Sequence, residues 1–470
     1  MNDPFSSAST LLAAQSQGNL SAEELMAQTL ERIAHVNPQV NAIVDLADSN
    51  SLLEAARTAD RVPAEDRGLL HGLPLAIKDL ANVKGFRNTE GSLIHADRVV
   101  DQDELMVARL RKEGAIFIGK TNVPEFGLGS HTFNPVHGAT LNPYSNEHTC
   151  GGSSGGAAVA LAAGMLALAD GSDMMGSLRN PAAWNNVYGF RPSIGRVPKE
   201  PAGDQYLHQL STLGPMARSP SDIALMLEVM SGPDPRHPFG LADERFTPLK
   251  RMDLSHMRVG WISDWGGAYE VEKGLLEVSE STCAVLAELG AVVDPLVPDF
   301  PMERIWESWI ALRSFSVAMG LRGLQVDRNL MKDSALWELD RGLSMSALDV
   351  QEASEARSEW FRAAIELFQR YDLLVMPTTQ VWPFPVEQPY PISINGCSMD
   401  TYHRWMEVVV PVSLLGLPSL AVPSGFGAGG LPTGVQLIGA PGTDRFVLEV
   451  GEAYHHATHW PQRMPPPDCV

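Results

Sequence analysis

Two serine-bearing glycine clusters stand at the two ends of one small-residue apolar run, in the stretch CGGSSGGAAVALAAGMLALADGSDMMGSLRNPA from Cys150 to Ala182. Glycine lets backbone amides approach another group closely and lets the chain turn sharply, at an entropic cost that chains avoid elsewhere. Ser153 lies in the first cluster and Ser177 in the second, an interval of 24 positions. Two such turns, each around a serine, indicate a site rather than a linker.

Short apolar runs of strand length alternate with helix-periodic segments along the chain. LHGLPLAIKDLANV and LRKEGAIFIGKTNVPEF each contain a strand-length run, and DELMVARLRKEG between them has helical periodicity. Further strands are predicted at MRVGWIS, AVVDPLV, YDLLVMPTT, PSLAVPSGF and GVQLIG. Helices are predicted at SPSDIALMLEVMSG, at GLLEVSESTCAVLAELG, over about 302–370 and near 444–458. This order predicts an α/β protein.

The N-terminal region is predicted to be helical. SAEELMAQTLERIAHVNPQVNAIV combines a capping-box pattern, Ser21 with Glu24, with apolar residues at helical spacing, and the helix is expected to end near Pro38. No repeat and no sharp change of composition divides the chain. We therefore expect residues 1–60 to form a helical region packed on the core and residues 61–470 to form the main body of a single domain.

Composition and charge restrict the class of protein. With 470 residues, 44% of them hydrophobic and 19% charged, the chain has the composition of a soluble globular protein. A net charge of −21 repels phosphate backbones and anionic lipid surfaces, so neither nucleic acid nor a membrane is expected as a partner. The N-terminus lacks a basic segment followed by an apolar core, and the apolar run near Ala157 is too short to span a bilayer, so we expect a cytoplasmic protein.

The cysteines are widely spaced and form no CxxC pair, so neither a zinc knuckle nor a disulfide framework is indicated, and a reducing compartment fits. They are Cys150, Cys283, Cys397 and Cys469.

The motif GGSSG, read alone, leaves alternatives open. It satisfies GxSxG, the nucleophile elbow of α/β-hydrolases, in which Ser153 would need an acidic residue and a histidine further along the chain. A tight turn before a close-packed helix explains the same residues, whereas a phosphate-binding loop is disfavoured because no GKS or GKT follows. Nothing in the context distinguishes one candidate histidine from the others, which are His208, His237, His256, His403, His455, His456 and His459.

The two serine clusters, taken together with Lys78 in LPLAIKD, resemble the amidase signature family of serine hydrolases. In that family the same interval separates the two catalytic serines. The resemblance covers most of the chain, including GAIFIGKTNVPEFG, GATLNPYS, YGFRPSIGRVP and GLPTGVQLIG. It implies the amidase signature fold, a mixed central β-sheet covered by helices on both faces. It also implies hydrolysis of C–N amide bonds, in a member similar to aryl acylamidases or urethanases.

The resemblance assigns site residues position by position. Lys78 matches the catalytic lysine, Ser153 the bridging serine that follows a cis peptide bond, and Ser177 the nucleophile that forms the acyl-enzyme. The oxyanion hole then falls on the backbone amides of Met174, Met175, Gly176 and Ser177. One position departs from the family: most members have GGS up to the nucleophile, whereas this chain has MGS, with Met175 in place of the first glycine.

Elementary chemistry supports these residue types. A serine hydroxyl is a weak nucleophile until a base takes its proton, and a second hydroxyl can relay that proton because it both donates and accepts. A lysine base must be neutral, yet a free lysine titrates near ~10.4, so burial would have to lower its pKa by roughly 3 units. The apolar flank Leu73, Leu75, Ala76 and Ile77 is consistent with burial of Lys78. The alternative is a surface lysine paired with Asp79.

Neighbouring residues are predicted to support the site. Ser154 would hydrogen-bond beside the relay, Asp173 would fix the turn before the nucleophile, and Arg179 would pair with Asp173. Ordinary turn capping accounts for these residues equally well. No cofactor and no metal is implied, and we expect a monomer or a homodimer.

The substrate is expected to be a small neutral amide or carbamate. The Pro-rich segment from Val381 to Trp405 is predicted to lie at the mouth of the site and to favour bulky aryl groups; the alternative is a loop folded on its own aromatics. Its candidate pocket residues are Trp382, Phe384, Tyr390, Tyr402 and Trp405. Two other functions remain open: the A-type subunit of the glutamyl-tRNA amidotransferase, which is built on the same family, and the GxSxG esterase with a His/Asp pair.

Overall fold

The computed structural model describes residues 3–207 and 209–467, so His208 and Cys469 lie outside the described residues. The strands in chain order are β1 (Ile43–Val44), β2 (Pro74–Lys78), β3 (Ile116–Thr121), β4 (Phe133–Asn134), β5 (Gly138–Ala139), β6 (Leu141–Asn142), β7 (Ser145–Thr149), β8 (Leu168–Asp173), β9 (Tyr188–Arg191), β10 (Thr212–Ala217), β11 (Arg258–Trp261), β12 (Val292–Pro295), β13 (Leu373–Pro377), β14 (Ser393–Ile394), β15 (Cys397–Ser398), β16 (Ser419–Phe426) and β17 (Pro432–Ile438).

The α-helices alternate with these strands. They are α1 (Ala8–Ser16), α2 (Ala22–Val40), α3 (Ser49–Asp60), α4 (Leu105–Lys112), α5 (Gly155–Ala162), α6 (Arg179–Trp184), α7 (Pro220–Met230), α8 (Leu275–Glu288), α9 (Met302–Leu321), α10 (Asp333–Ser344), α11 (Ala347–Phe368), α12 (Val410–Leu415), α13 (Asp444–Thr458) and α14 (Trp460–Arg463).

Eight of the described strands form a mixed sheet in the order β12-β11-β13-β17-β16-β9-β10-β8. The strands β12, β11 and β13 run parallel to their neighbours in that group, and every later pairing is antiparallel. The prediction of an α/β protein with a mixed central sheet is confirmed. Each predicted strand after residue 250 is present.

The strand that carries Lys78 lies in a second sheet. The described strands β1, β3 and β2 form it, with β2 parallel to β3. The backbone N–H of Lys78 donates to Asp170 Oδ1 of β8 at 2.9 Å. A side chain, rather than a backbone carbonyl, therefore joins β2 to β8 at this point. The sequence pattern predicted β2 and β3 but did not separate them from the main sheet.

The N-terminal helices pack on the helix that follows the first serine cluster. Helix α2 begins with the predicted capping box and continues two residues past Pro38, so its end near Pro38 was predicted closely. Its buried residues Met26, Ile33 and Val36 share one apolar cluster with Ala157 and its neighbours in α5. Across residues 3–207 and 209–467, no helix combines the length and the apolarity needed to cross a bilayer.

Helix α5, with the sequence GGAAVALA, is buried along its whole length because its glycines permit close backbone approach. A Cβ at Gly155 would meet Thr132 Oγ1 and lie 2.8 Å from Cys150 Sγ. A Cβ at Gly156 would meet the backbone nitrogen of Asn122. There is no room for a side chain at these glycines of the first cluster. Their absence of a Cβ lets α5 pack directly against the chain between β3 and β4.

Replacing Gly156 by alanine is expected to destabilise the protein by ~1–3 kcal/mol, because the backbone of Asn122 and Ala42 would have to move. The free energy of unfolding from urea denaturation measures the effect. Gly323→Ala is the matched control, since a Cβ there meets nothing within 4 Å. Equal stability of the two variants would contradict the packing argument.

Candidate active site

Lys78 ends β2 as a buried side chain, 1% exposed, surrounded by oxygen atoms. Its Nζ lies 2.8 Å from Ser153 Oγ, 2.7 Å from Ser154 Oγ and 3.0 Å from Ser172 Oγ, with the carbonyl oxygen of Ser172 at 3.3 Å. Serine hydroxyls both donate and accept, so they satisfy either a neutral amine or an ammonium. The lysine is not the surface residue that the alternative interpretation described.

Burial lowers the pKa of Lys78 to about 7, and the nearby carboxylates of Asp170 and Asp173 oppose that shift only partly. A primary amine is a base only when it is neutral, and near pH 7 a substantial fraction of this one is neutral. The environment therefore gives Lys78 the protonation behaviour that a general base needs.

Ser153 stands at a cis peptide bond, Gly152–Ser153, between β7 and α5. Ser130 fixes the preceding residue from both sides: the Ser130 hydroxyl donates to the Gly152 carbonyl at 2.8 Å and accepts from its N–H at 3.1 Å. In the part of the chain that the structure describes, the hydrogen-bond partner of Ser153 Oγ is Lys78 and no histidine bonds to it. This geometry disfavours the GxSxG esterase.

Ser177 follows β8 in a turn that packs against the first serine cluster. The backbone N–H of Ser154 donates to the Ser177 carbonyl at 3.2 Å, which holds the two clusters together. Gly176 has φ +80°, a left-handed conformation that favours glycine, and a Cβ there would meet Asn180 Oδ1. Ser177 is 9% exposed, more than Ser153 at 2%. Of the two serines, Ser177 is the more accessible from the cavity.

Of the four backbone amides predicted to form the oxyanion hole, that of Gly176 is bonded within the turn itself. The Gly176 N–H donates to Asp173 Oδ1 at 2.9 Å and is therefore directed at that carboxylate rather than at a substrate oxygen. Within residues 3–207 and 209–467, the backbone N–H groups of Met174, Met175 and Ser177 have no hydrogen-bond acceptor. These three amides remain available for an anionic oxygen.

Asp173 is buried and holds this turn through two backbone bonds and two arginines. Besides Gly176, it accepts from the N–H of Leu178 at 3.2 Å. Arg179 contacts both carboxylate oxygens at 3.0 Å, and Arg191 adds a contact at 3.2 Å. Burial alone would raise the pKa of Asp173, but the charges of Arg179 and Arg191 outweigh it and hold that pKa well below its ordinary range. The carboxylate therefore stays ionised and keeps the turn in place.

A cavity of about 300 Å³ opens over both serines. Ser153 and Ser177 line it together with Ser172. Its walls are largely apolar, and the apolar side chains in them are Leu80, Phe126, Leu128, Met174, Met175, Val317, Leu321 and Met406. The arrangement places an accessible hydroxyl, a second hydroxyl bonded to a lysine and a set of free amides around one open cavity. This combination is suited to nucleophilic attack on a carbonyl group, because it supplies a nucleophile, a base and donors for the anionic oxygen.

The predicted aromatic residues do not line this cavity. Tyr390, Tyr402 and Trp405 line a neighbouring chamber of about 570 Å³ that shares only Leu128 and Gly129 with it. The physical reason is that the loop packs on its own and nearby aromatics: Trp405 stacks on Trp184 with ring centroids 5.8 Å apart.

The remaining two predicted residues are fixed elsewhere. Phe384 meets Trp184 and Trp405 edge-on, at 5.8 and 5.4 Å between ring centroids. Trp382 donates its indole N–H to the Lys273 carbonyl at 3.2 Å and lines a surface pocket among prolines. These five side chains do not line the cavity over the serines, and a role for them in substrate binding stays a prediction.

Helix α9 supplies a wall that sequence reasoning missed. The cavity-lining positions on it follow helical spacing and form one face; they are Arg313, Ser316, Val317, Gly320 and Leu321. The segment was predicted as helix without assigning a face to the site. The available signal in the sequence was Arg313, a charged residue among small and apolar neighbours in a helical segment. A charged side chain is rarely buried in such a place without a partner.

Comparisons with known proteins give one consistent result. A family model described as Amidase matches residues 24–448. The chain is 32% identical to an acylamidase of Rhodococcus erythropolis, covering 99% of this chain and 98% of the relative. It is 33% identical to the A-type subunit of the glutamyl-tRNA(Gln) amidotransferase of a Roseiflexus species, over 96% of each chain. A crystal structure of a bacterial aryl acylamidase of the amidase signature family superposes with a TM-score of 0.91, at 27% identity and 97% coverage of both chains.

Proposed function

This chain belongs to the amidase signature family and is an amide-hydrolysing enzyme; on that premise we propose that its acyl-enzyme forms on Ser177. The observation that carries the proposal is the 2.8 Å contact between Lys78 Nζ and Ser153 Oγ, beside a cavity that Ser177 also lines. The proton of Ser177 passes to Ser153 while Ser153 gives its own proton to neutral Lys78. The Ser177 oxygen then bonds to the amide carbon.

The developing negative charge on the former carbonyl oxygen is stabilised by the free N–H groups of Met174, Met175 and Ser177. When the C–N bond breaks, the amine leaves with the proton that Lys78 returns through Ser153. Water then takes the place of Ser177: it gives a proton through Ser153 to Lys78 and attacks the acyl carbon. The bond between that carbon and the Ser177 oxygen breaks, Lys78 returns the proton through Ser153 to Ser177, and the acid product leaves. The net reaction adds one water molecule across the amide bond.

The substrate class that we propose is a neutral amide carrying an apolar or aryl group, with aryl carbamates as a further class. The leucine, methionine and phenylalanine walls of the cavity support this class, because such walls bind apolar groups and gain little from a small polar amide. Met175 contributes a flexible thioether at the position where most of the family has glycine.

An amidotransferase-type function is the second candidate. The 33% identity to the A-type subunit of a glutamyl-tRNA(Gln) amidotransferase is as high as the identity to the acylamidase. Two observations favour the simple hydrolase: the net charge of −21 repels the phosphate backbone of a tRNA, and the apolar walls of the cavity suit glutamine poorly, because glutamine is small, polar and zwitterionic. Glutamine hydrolysis faster than anilide hydrolysis by the purified chain would favour the amidotransferase instead.

Ser177 is expected to be the residue that a fluorophosphonate labels, because it is the more exposed serine beside the free amides. Peptide mapping by mass spectrometry identifies the site. Ser177→Ala should lose both label and activity, and the matched change Ser145→Ala, at a serine on β7, should lose neither. Label on Ser153 with Ser177 unmodified would contradict the assignment.

Activity is expected to fall below about pH 7 as Lys78 becomes protonated, because its pKa is lowered to about 7. Asp170 opposes that lowering with its charge, so Asp170→Asn should shift the acid limb of the kcat/KM profile to lower pH. The side-chain oxygen of the asparagine can still accept the hydrogen bond from the backbone N–H of Lys78. The surface change Asp66→Asn should leave the profile in place. An acid limb that moves upward in Asp170→Asn would contradict Lys78 as the base.

The substrate class is tested by kcat/KM for an anilide, the matching aryl carbamate and a simple aliphatic amide. The anilide and carbamate are expected to exceed the aliphatic amide by at least roughly tenfold, which about 1.4 kcal/mol of extra apolar contact provides. Met175→Gly should narrow this difference by removing one apolar wall. The proposed selectivity fails if the aliphatic amide is the best substrate of both proteins.

A further inference from the structure

Arg313 is a buried cation, 3% exposed, in the wall of the catalytic cavity. Two partners fix its guanidinium: Nε donates to Glu338 Oε1 at 2.6 Å, and Nη2 donates to the Tyr402 hydroxyl at 2.7 Å. Tyr402 in turn donates to Glu338 Oε1 at 2.8 Å, and the Ser314 hydroxyl donates to Glu338 Oε2 at 2.6 Å. The orientation of the guanidinium is therefore set by a hydrogen-bonded network behind the cavity wall.

The third guanidinium nitrogen lacks an oxygen partner. Among the residues that the structure describes, Nη1 contacts only Met174 Sδ, at 3.4 Å. A thioether sulfur is a weak acceptor, and a buried N–H without a good acceptor carries an energetic cost that a bound ligand can remove. Met174 lines the same cavity and belongs to the turn before Ser177. An Arg313 N–H is thus available in the wall of the cavity that Ser177 also lines.

The charges around Arg313 determine which acceptor it suits. Glu338 is fully buried and paired with it, so the pair is neutral overall. Burial raises the pKa of Tyr402, so its hydroxyl is uncharged. Glu90, which pairs with Arg98, adds a carboxylate to the cavity lining. The charged residues that line the described cavity, Arg313 and Glu90, are each paired, so an anionic ligand would find no unpaired cation there, whereas an uncharged oxygen needs only the N–H donor.

We propose that Arg313 is a specificity-determining residue: its Nη1 donates a hydrogen bond to a second, uncharged oxygen of the substrate, a ketone, ester, carbamate or ether oxygen distinct from the scissile carbonyl. The inference rests on the proposed function and narrows its substrate class to neutral amides that carry such an oxygen. Glu338 and Tyr402 are positioning residues, because they act only through the guanidinium.

The test uses two pairs of substrates that differ in one oxygen. Levulinanilide and valeranilide differ by a ketone in the acyl chain, and meta-methoxyacetanilide and meta-ethylacetanilide differ by an ether in the leaving group. In the wild-type protein, the oxygen-bearing member of one pair should have a kcat/KM roughly 10- to 100-fold higher, the range expected for a hydrogen bond to a charged donor. Arg313→Met should bring that ratio to about one.

Control variants separate the hydrogen bond from general damage. Arg313→Met leaves Glu338 without its cation, so Arg313→Met/Glu338→Gln is measured beside it, with circular dichroism to verify folding. Arg341→Met removes an exposed arginine that stacks on Trp337 at 5.6 Å, and it should keep the wild-type ratio. Ratios near one for both pairs in the wild-type protein, or a ratio that either Arg313 variant leaves unchanged, overturn the inference. Label on Ser177 in the same samples shows that the proposed function stands independently.

Discussion

The burial of one amine among serine hydroxyls is the constraint on which the site depends. Lys78 could not be neutral at ordinary pH without removal from water, and it could not be buried without partners for its N–H groups. Three hydroxyls and one carbonyl meet that requirement. The glycines of the first cluster then become necessary, because they let α5 pack directly on the backbone of Asn122 and on the side chain of Thr132. The fold is organised to bring two sheets together at this nitrogen.

Sequence reasoning located the site residues that lie in short, recognisable sequence motifs. Ser153, Ser154, Asp173, Ser177 and Arg179 belong to the two serine clusters and Lys78 to the segment LPLAIKD, and the structure brings them together at one edge of the cavity. The use of the Gly176 amide was not predictable, because it depends on the orientation of the Asp173 carboxylate within the turn. The domain boundary proposed at residue 60, where α3 ends, stays a prediction.

The walls of the cavity were the least predictable part. The segment from Val381 to Trp405 has the composition of a binding loop. However, the rings of Phe384 and Trp405 are buried against Trp184. Composition cannot distinguish aromatics that meet a ligand from aromatics that meet one another. Arg313 is far in sequence from the two serine clusters, so only the folded chain shows that its helix lines the cavity over the two serines.

The wall that α9 contributes is separate in sequence from the segments that hold Lys78 and the serines. Among the described residues, the bonds around the Lys78 amine go to Ser153, Ser154 and Ser172, so the cavity-facing positions of α9 can change without altering those bonds. Natural variation or laboratory selection on this one helix face can therefore change which substrates bind. The catalytic residues and the reaction that they carry out stay the same.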